Sequence, residues 1–245
     1  MYNVMTSLLA DKKGGAVFTC FGVWHVIYIA IVFAGIAFTL YLLKNKDDKI
    51  KENAISGVIN LAFALYILDF FLMPFAYGEI DVEKLPFHIC TAMCVACFLS
   101  KCTEFWVRFK TQFAVFALVS NIIYVIYPAG IGWYQIHPLS YRVVQTLLFH
   151  GVMTAYGIFA LAYEKVEYRP KKDIAVISAM VLWALVGNAL YNSDARFYNW
   201  SFVVRDPFWI LPENIAPFIM PFVIIAVMLI AESVIYKLTK KIKGE

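Results

Sequence analysis

The sequence predicts an all-α polytopic membrane protein, a bundle of seven transmembrane helices with its N-terminus outside and its C-terminus in the cytoplasm. Three observations predict it. Of the 245 residues, 62% are apolar and only 16% charged, whereas soluble chains carry roughly 25% charged residues; the bilayer is the solvent that suits such a composition. Seven apolar runs approach the length of about 17–25 residues that a helical span takes. The basic residues, finally, alternate between sides of those runs.

The runs lie at about 21–43, 54–77, 85–99, 113–127, 139–163, 174–191 and 215–238. The third and fourth are short and are expected to extend into the linker between them. No internal repeat, low-complexity tract or flexible linker separates a second domain, so residues 1–245 read as one membrane domain. The leading MYNVMTSLLADKKGG does not read as a signal peptide, because its charges follow the short apolar stretch. Fifteen Lys and Arg residues fall after the first, third, fifth and seventh runs. Six fall on the other side: Lys12, Lys13, Lys84, Arg142, Arg196 and Arg205. The richer side is cytoplasmic by the positive-inside rule, and its Lys-rich ends suit anionic headgroups.

Given that topology, depth follows from the helical rise of about 1.5 Å per residue. In the first run, FGVWH places His25 near the outer surface. In the second, Asp69 lies eight residues short of Tyr77. The third opens LPFHICTAMC, with His88 three residues in. The loop WYQIHPLSYR holds His137, and His150 lies eight residues beyond Arg142, roughly 12 Å deep. Asn188 and Asn192 come at the outer end of the sixth run. All four histidines and the one acidic residue well inside a run thus fall in the outer half. An ionisable group in a span costs at least about 2.5–3.5 kcal/mol and faces a partner or a cavity. Asp69 and His150 either hold spans together or line a shared polar cavity; the clustering favours the cavity.

Two stripes add detail. Thr146, His150, Thr154 and Gly157 share one face of the fifth run, which should turn inward; such small and hydroxyl residues are also ordinary packing devices in membranes. In the third run, Pro86 suits a first helical turn. At about 100° per residue, His88 and Cys90 then point roughly 200° apart, so they are not a nucleophile and its own base. Cys90, Cys94 and Cys97 form a thiol stripe that reads as packing, with Cys90 as its exception. Five cysteines give no disulfide framework. The chain lacks GxxxxGK[ST], HExxH and GxSxG motifs, and its scattered basic residues exclude a nucleic-acid surface.

LPFHIC, followed about 60 residues later by RVVQTLLFHG, resembles the YwaF-like integral membrane proteins of bacteria, in which an LPLHLC-type motif precedes R-x-x-Q-x-x-x-x-H-G. FGVWH and VGNALY fit the same pattern. The resemblance implies a multi-pass protein of a bacterial plasma membrane. A more distant animal branch is described as a multispan acyltransferase that remodels ether phospholipids with a cysteine nucleophile and a histidine. Carried over, His88 and Cys90 match the first motif, Arg142, Gln145 and His150 the second, and Asn188 the sixth span. In the animal branch the cysteine precedes the first-motif histidine directly, where this chain has Phe87.

The leading expectation is therefore an intramembrane acyltransferase or lipid hydrolase acting on phospholipid or lysophospholipid acyl chains, open to the outer leaflet. Cys90, or else Thr91, attacks the ester. His150 is the general base, oriented by Asp69, and His88 or Asn188 steadies the oxyanion. Arg142 receives the phosphate, with Gln145 beside it. Membrane lipids are the partners, and no cofactor or metal is needed. A second expectation is a zinc hydrolase using some of His25, His88, His137, His150 and Asp69. A third is a non-enzymatic transporter, receptor or binding protein with a polar cavity.

Overall fold

Long apolar runs become helices because a span must satisfy every backbone polar group within itself. The computed structural model describes residues 2–12, 15–132, 134–165, 167–193, 197–208 and 210–243. Lys13 and Arg196, used above to assign sidedness, lie outside the described residues, as does the side chain of Lys243. Among the described residues there is no strand. In chain order the helices are α1 (Tyr2–Leu9), α2 (Val23–Leu43), α3 (Asp48–Ala76), α4 (Ile89–Leu99), α5 (Glu104–Val107), α6 (Lys110–Ile126), α7 (Ala129–Gly132), α8 (Tyr141–Tyr163), α9 (Pro170–Tyr191) and α10 (Ala216–Lys243). Short 3-10 turns cover Val82–Lys84 and Trp200–Phe202.

Six of these, α2, α3, α6 (with α7), α8, α9 and α10, are long and apolar enough to cross a membrane. The expected third span is not among them. α4 is an apolar helix of 11 residues, about 16 Å long at 1.5 Å per residue, roughly half a hydrocarbon core. It does not run on into the linker, because the chain turns at Ser100–Cys102 and restarts as α5, capped by the Thr103 hydroxyl. The fourth span does extend, starting at Lys110 rather than 113. The second starts earlier too, because Asp47 caps it by accepting from the Ile50 N–H at 2.8 Å.

The chain forms two compact units. One comprises residues 1–82 and 120–163. In it α3 and α2 pack against α8, and α1 packs against α3. Phe18, Ile131, Ile136, Val143 and Leu147 make its buried cluster, with Trp24, Tyr28 and Tyr124 against it. The Thr146, His150, Thr154 and Gly157 face of α8 is buried, as the stripe predicts. The other unit comprises residues 83–119 and 164–245. There α9 packs against α4, α10 and the Trp200–Phe202 turn.

Candidate functional site

The first unit carries Asp69, Arg142, Gln145 and His150. His150 is buried on α8, and its ring stacks on Tyr124 with centroids 3.9 Å apart. Its Nδ1 lies 2.7 Å from Oδ1 of Asn121 on α6. An amide oxygen only accepts, so Nδ1 carries a proton, and in the neutral ring Nε2 keeps its lone pair. That is the tautomer a general base needs, held here by an asparagine as in Cys-His-Asn hydrolases. The sequence reading missed Asn121. Its signal was present: the polar pair Ser120–Asn121 interrupts an otherwise apolar run.

Asp69 accepts from the hydroxyls of Tyr141 at 2.9 Å and Tyr77 at 3.3 Å. It is thus the acceptor of a tyrosine pair at the junction of α3 and α8, while the Nδ1 of His150 is oriented by Asn121. Arg142 pairs with Asp11 at 3.0 Å and more loosely with Asp81 at 3.8 Å. Its guanidinium lies over the rings of Tyr77 and Tyr134, at 3.8 and 4.2 Å. Two carboxylates already neutralise the group expected to meet a phosphate. Arg142 acts as a latch that ties the N-terminal segment and the end of α3 to α8. Gln145 accepts from the Thr146 hydroxyl at 3.3 Å.

Two more histidines are fasteners. Nδ1 of His25 accepts the Phe21 N–H at 2.9 Å, so Nε2 carries the proton and donates to the Val125 carbonyl at 2.9 Å. Both ring nitrogens are thereby occupied, and His25 has no lone pair for a metal. His137 likewise accepts the Leu139 N–H on Nδ1 at 3.2 Å. Among the described residues, no group of three or more His, Cys, Asp or Glu side chains is arranged to hold a metal ion.

The second unit carries His88, Cys90 and Asn188. Pro86 sits in a turn before the helix, and His88 is the extended N-cap residue of α4 (φ −74°, ψ 141°). The 200° separation from Cys90 therefore does not apply, because His88 is not helical. What shapes this corner is the turn at Trp200–Phe202. Ser201 and Phe202 both adopt left-handed backbone, with φ of 57° and 59°, at a cost on the order of 1–3 kcal/mol each. Hydrogen bonds offset it. The Ser201 N–H donates to Nδ1 of His88 at 3.0 Å. The Ser201 hydroxyl donates to the Phe87 carbonyl at 3.2 Å and accepts the Ile89 N–H at 2.9 Å.

This contact sets the chemistry of His88. Because Nδ1 accepts, the ring proton sits on Nε2, and His88 presents a donor rather than a base. Asn188 is engaged by its own helix and by the turn: its amide NH2 donates to the carbonyls of Ala184 at 2.7 Å and Trp200 at 3.3 Å, and its Oδ1 accepts the Trp200 N–H at 3.2 Å. It therefore positions the turn instead of offering a donor to a substrate. The Thr91 hydroxyl donates to the His88 carbonyl at 3.0 Å. All five cysteines are free thiols; Cys94 and Cys97 are buried, while Cys90 is half-buried on the first turn of α4. Phe87 is caged by Trp183, Tyr191 and Trp200 at centroid distances of 5.0–5.8 Å. A Cβ on Gly187 would lie 2.4 Å from its ring, so glycine there admits the phenyl group.

Comparison with known proteins gives one answer. No curated protein and no solved structure matches the chain. The TMEM164 family matches it over residues 20–234, which agrees with the animal relation implied by the sequence motifs and is silent on the YwaF-like one. Since the match covers most of the chain, from before α2 almost to the end of α10, this membrane protein belongs to the TMEM164 family.

Proposed function

We propose that the chain is an intramembrane acyltransferase or lipid hydrolase acting on phospholipid or lysophospholipid acyl chains, with His150 as its general base. The observation that carries this reading is the Asn121–His150 pair. A buried histidine on a membrane helix that donates from Nδ1 to Asn121 has, in its neutral form, an unprotonated Nε2, the atom that takes the proton of an attacking hydroxyl. When a lysolipid or water oxygen adds to an ester carbonyl, its proton goes to Nε2; the adduct then collapses, the ester C–O bond breaks, and the proton on Nε2 passes to the departing alkoxide. In the other unit, and as a separate proposal, Cys90 is the thiol to examine for a bound acyl group, supported by its motif and by its exposure relative to Cys94 and Cys97. Thr91, already hydrogen-bonded, is the weaker choice.

The test uses the purified full-length protein in phospholipid nanodiscs with labelled lysophospholipid. Wild type is expected to transfer or hydrolyse acyl chains, and His150→Ala to lose about 10²–10⁴-fold, the usual contribution of a general base. Asn121→Ala should lose rate while leaving lysolipid binding unchanged. Full activity in a folded His150→Ala protein would remove the mechanism. Trapped acyl groups on Cys90, sought by mass spectrometry, test the thiol separately.

A second reading has its own support. Arg142 is neutralised and Asn188 holds a turn, so two of the expected substrate contacts are architectural. That favours a non-enzymatic binding or transport protein, and lipid binding without turnover in the same assay would select it. The occupied nitrogens of His25 weigh against the zinc reading. We also infer an N-terminus outside and a C-terminus in the cytoplasm, with the segment around α4 completing a seventh crossing; the support is the bias of basic residues toward one set of connections.

A further inference from the structure

A second buried polar cluster lies in the unit of residues 83–119 and 164–245, and the lipid chemistry makes no use of it. Asp173, in the first turn of α9, and Glu232, on α10, are both 0% exposed. Among the described residues, none of their four carboxylate oxygens meets a hydrogen-bond donor of regular geometry. The two residues lie across the α9–α10 contact, near enough for each carboxyl to act on the other.

Their surroundings are polar, and the positive charge that acts on Asp173, the Lys172 ammonium, is itself bonded to a carbonyl. On α6, the buried amide of Gln112 lies beside Asp173. On α10, Tyr236 stands one turn beyond Glu232; its hydroxyl donates to the Glu167 carbonyl at 3.1 Å, and its ring packs on Tyr168. On α9, Lys172 directs its ammonium to the Arg108 carbonyl at 2.8 Å and lies 5.4 Å from the Phe109 ring centroid.

Two ionised carboxylates in this position would each carry a desolvation penalty, and they would repel each other. One positive charge between them removes both problems. Among the described residues no third carboxylate, histidine or thiol joins the pair to hold a metal ion. A proton needs only two oxygens: bound to one carboxyl, it turns the contact into a short charge-assisted O–H···O bond. We propose that Asp173 and Glu232 together form a binding site for one exchangeable proton, joining α9 to α10. Loss of that proton places two like charges in contact and loosens the joint, so the fold is stabilised below the pH at which the pair deprotonates and weakened as pH rises through it.

Infrared difference spectroscopy of the full-length protein, titrated from neutral to alkaline pH, tests this directly. Wild type is expected to show the C=O stretch of a protonated carboxylic acid at neutral pH. The band should disappear with release of one proton while the unfolding temperature falls over the same range. Glu232→Gln, isosteric and permanently neutral, should lack that titration and flatten the stability profile; Asp173→Asn serves if the first variant does not fold. The proposal is overturned if no such band exists in wild type, or if a folded variant titrates as wild type does. Stabilisation by Ca2+ or Mg2+ that Glu232→Gln abolishes also overturns it, since the site would then hold a metal.

Discussion

Four histidines in one chain have three different jobs, and the partner of each Nδ1 decides which. Where a backbone N–H donates to Nδ1, as at His25 and His137, the ring fastens a loop. At His88 the same donation fixes a donor tautomer. At His150 the partner is an acceptor, so Nδ1 is the donor. A carboxylate in a loop follows the same logic. Asp206 accepts the N–H groups of Phe208, Ile210 and Leu211 at 2.8–2.9 Å, and these bonds, Phe208's first, hold its carboxyl below the usual range. Its stabilisation is therefore present above the ordinary aspartate value of about 3.9 and lost as pH falls through the lower folded value. Amide protection at Phe208 and Leu211 should collapse only in acid; in Asp206→Ala it should be low at every pH.

At the scale of elements, α4 shows how an irregular segment survives in a membrane protein. Its approach is not helical, so its polar groups need outside partners. The Trp183 indole donates to the Pro86 carbonyl at 2.6 Å, and Ser201 serves both Phe87 and Ile89. This corner rests on Phe87 entering against Gly187. Gly187→Ala forces the ring aside and should cost about 1–3 kcal/mol, the usual range for overpacking, read as a lower unfolding temperature in detergent. Gly35→Ala on α2, where the new methyl meets nothing within 4 Å, is the control and should not destabilise. The sequence showed both VGNALY and LPFHIC but not that they meet. Helical periodicity assumed for Pro86 and His88 hid the turn that joins them.

At the scale of the molecule, six helices among those described can cross a membrane by length, while the charge bias asks for an odd number of crossings. Accessibility of single introduced cysteines decides between them. Positions in the 44–47 and 169–172 connections and at the C-terminus should react only after the cytoplasmic face is opened. A C-terminus that labels from outside would leave α4 as a helix that does not complete a crossing.

Composition and run length by themselves determined the membrane class, the helical fold and the buried face of α8. They could do so because apolar content and 3.6-residue periodicity are local properties of a chain in lipid. Asp69 and His150 were also legible as costly residues inside spans, whereas Asn121 and Glu232, inside the 113–127 and 215–238 runs, were passed over. What only the tertiary structure decided is how each one is satisfied. Asn121 rather than Asp69 orients Nδ1 of His150, Arg142 closes on carboxylates instead of waiting for a phosphate, and Asn188 grips a turn. Tautomer and pairing depend on which atoms lie within about 3 Å, between residues tens of positions apart in the chain. Spacing within one helix carries no record of that.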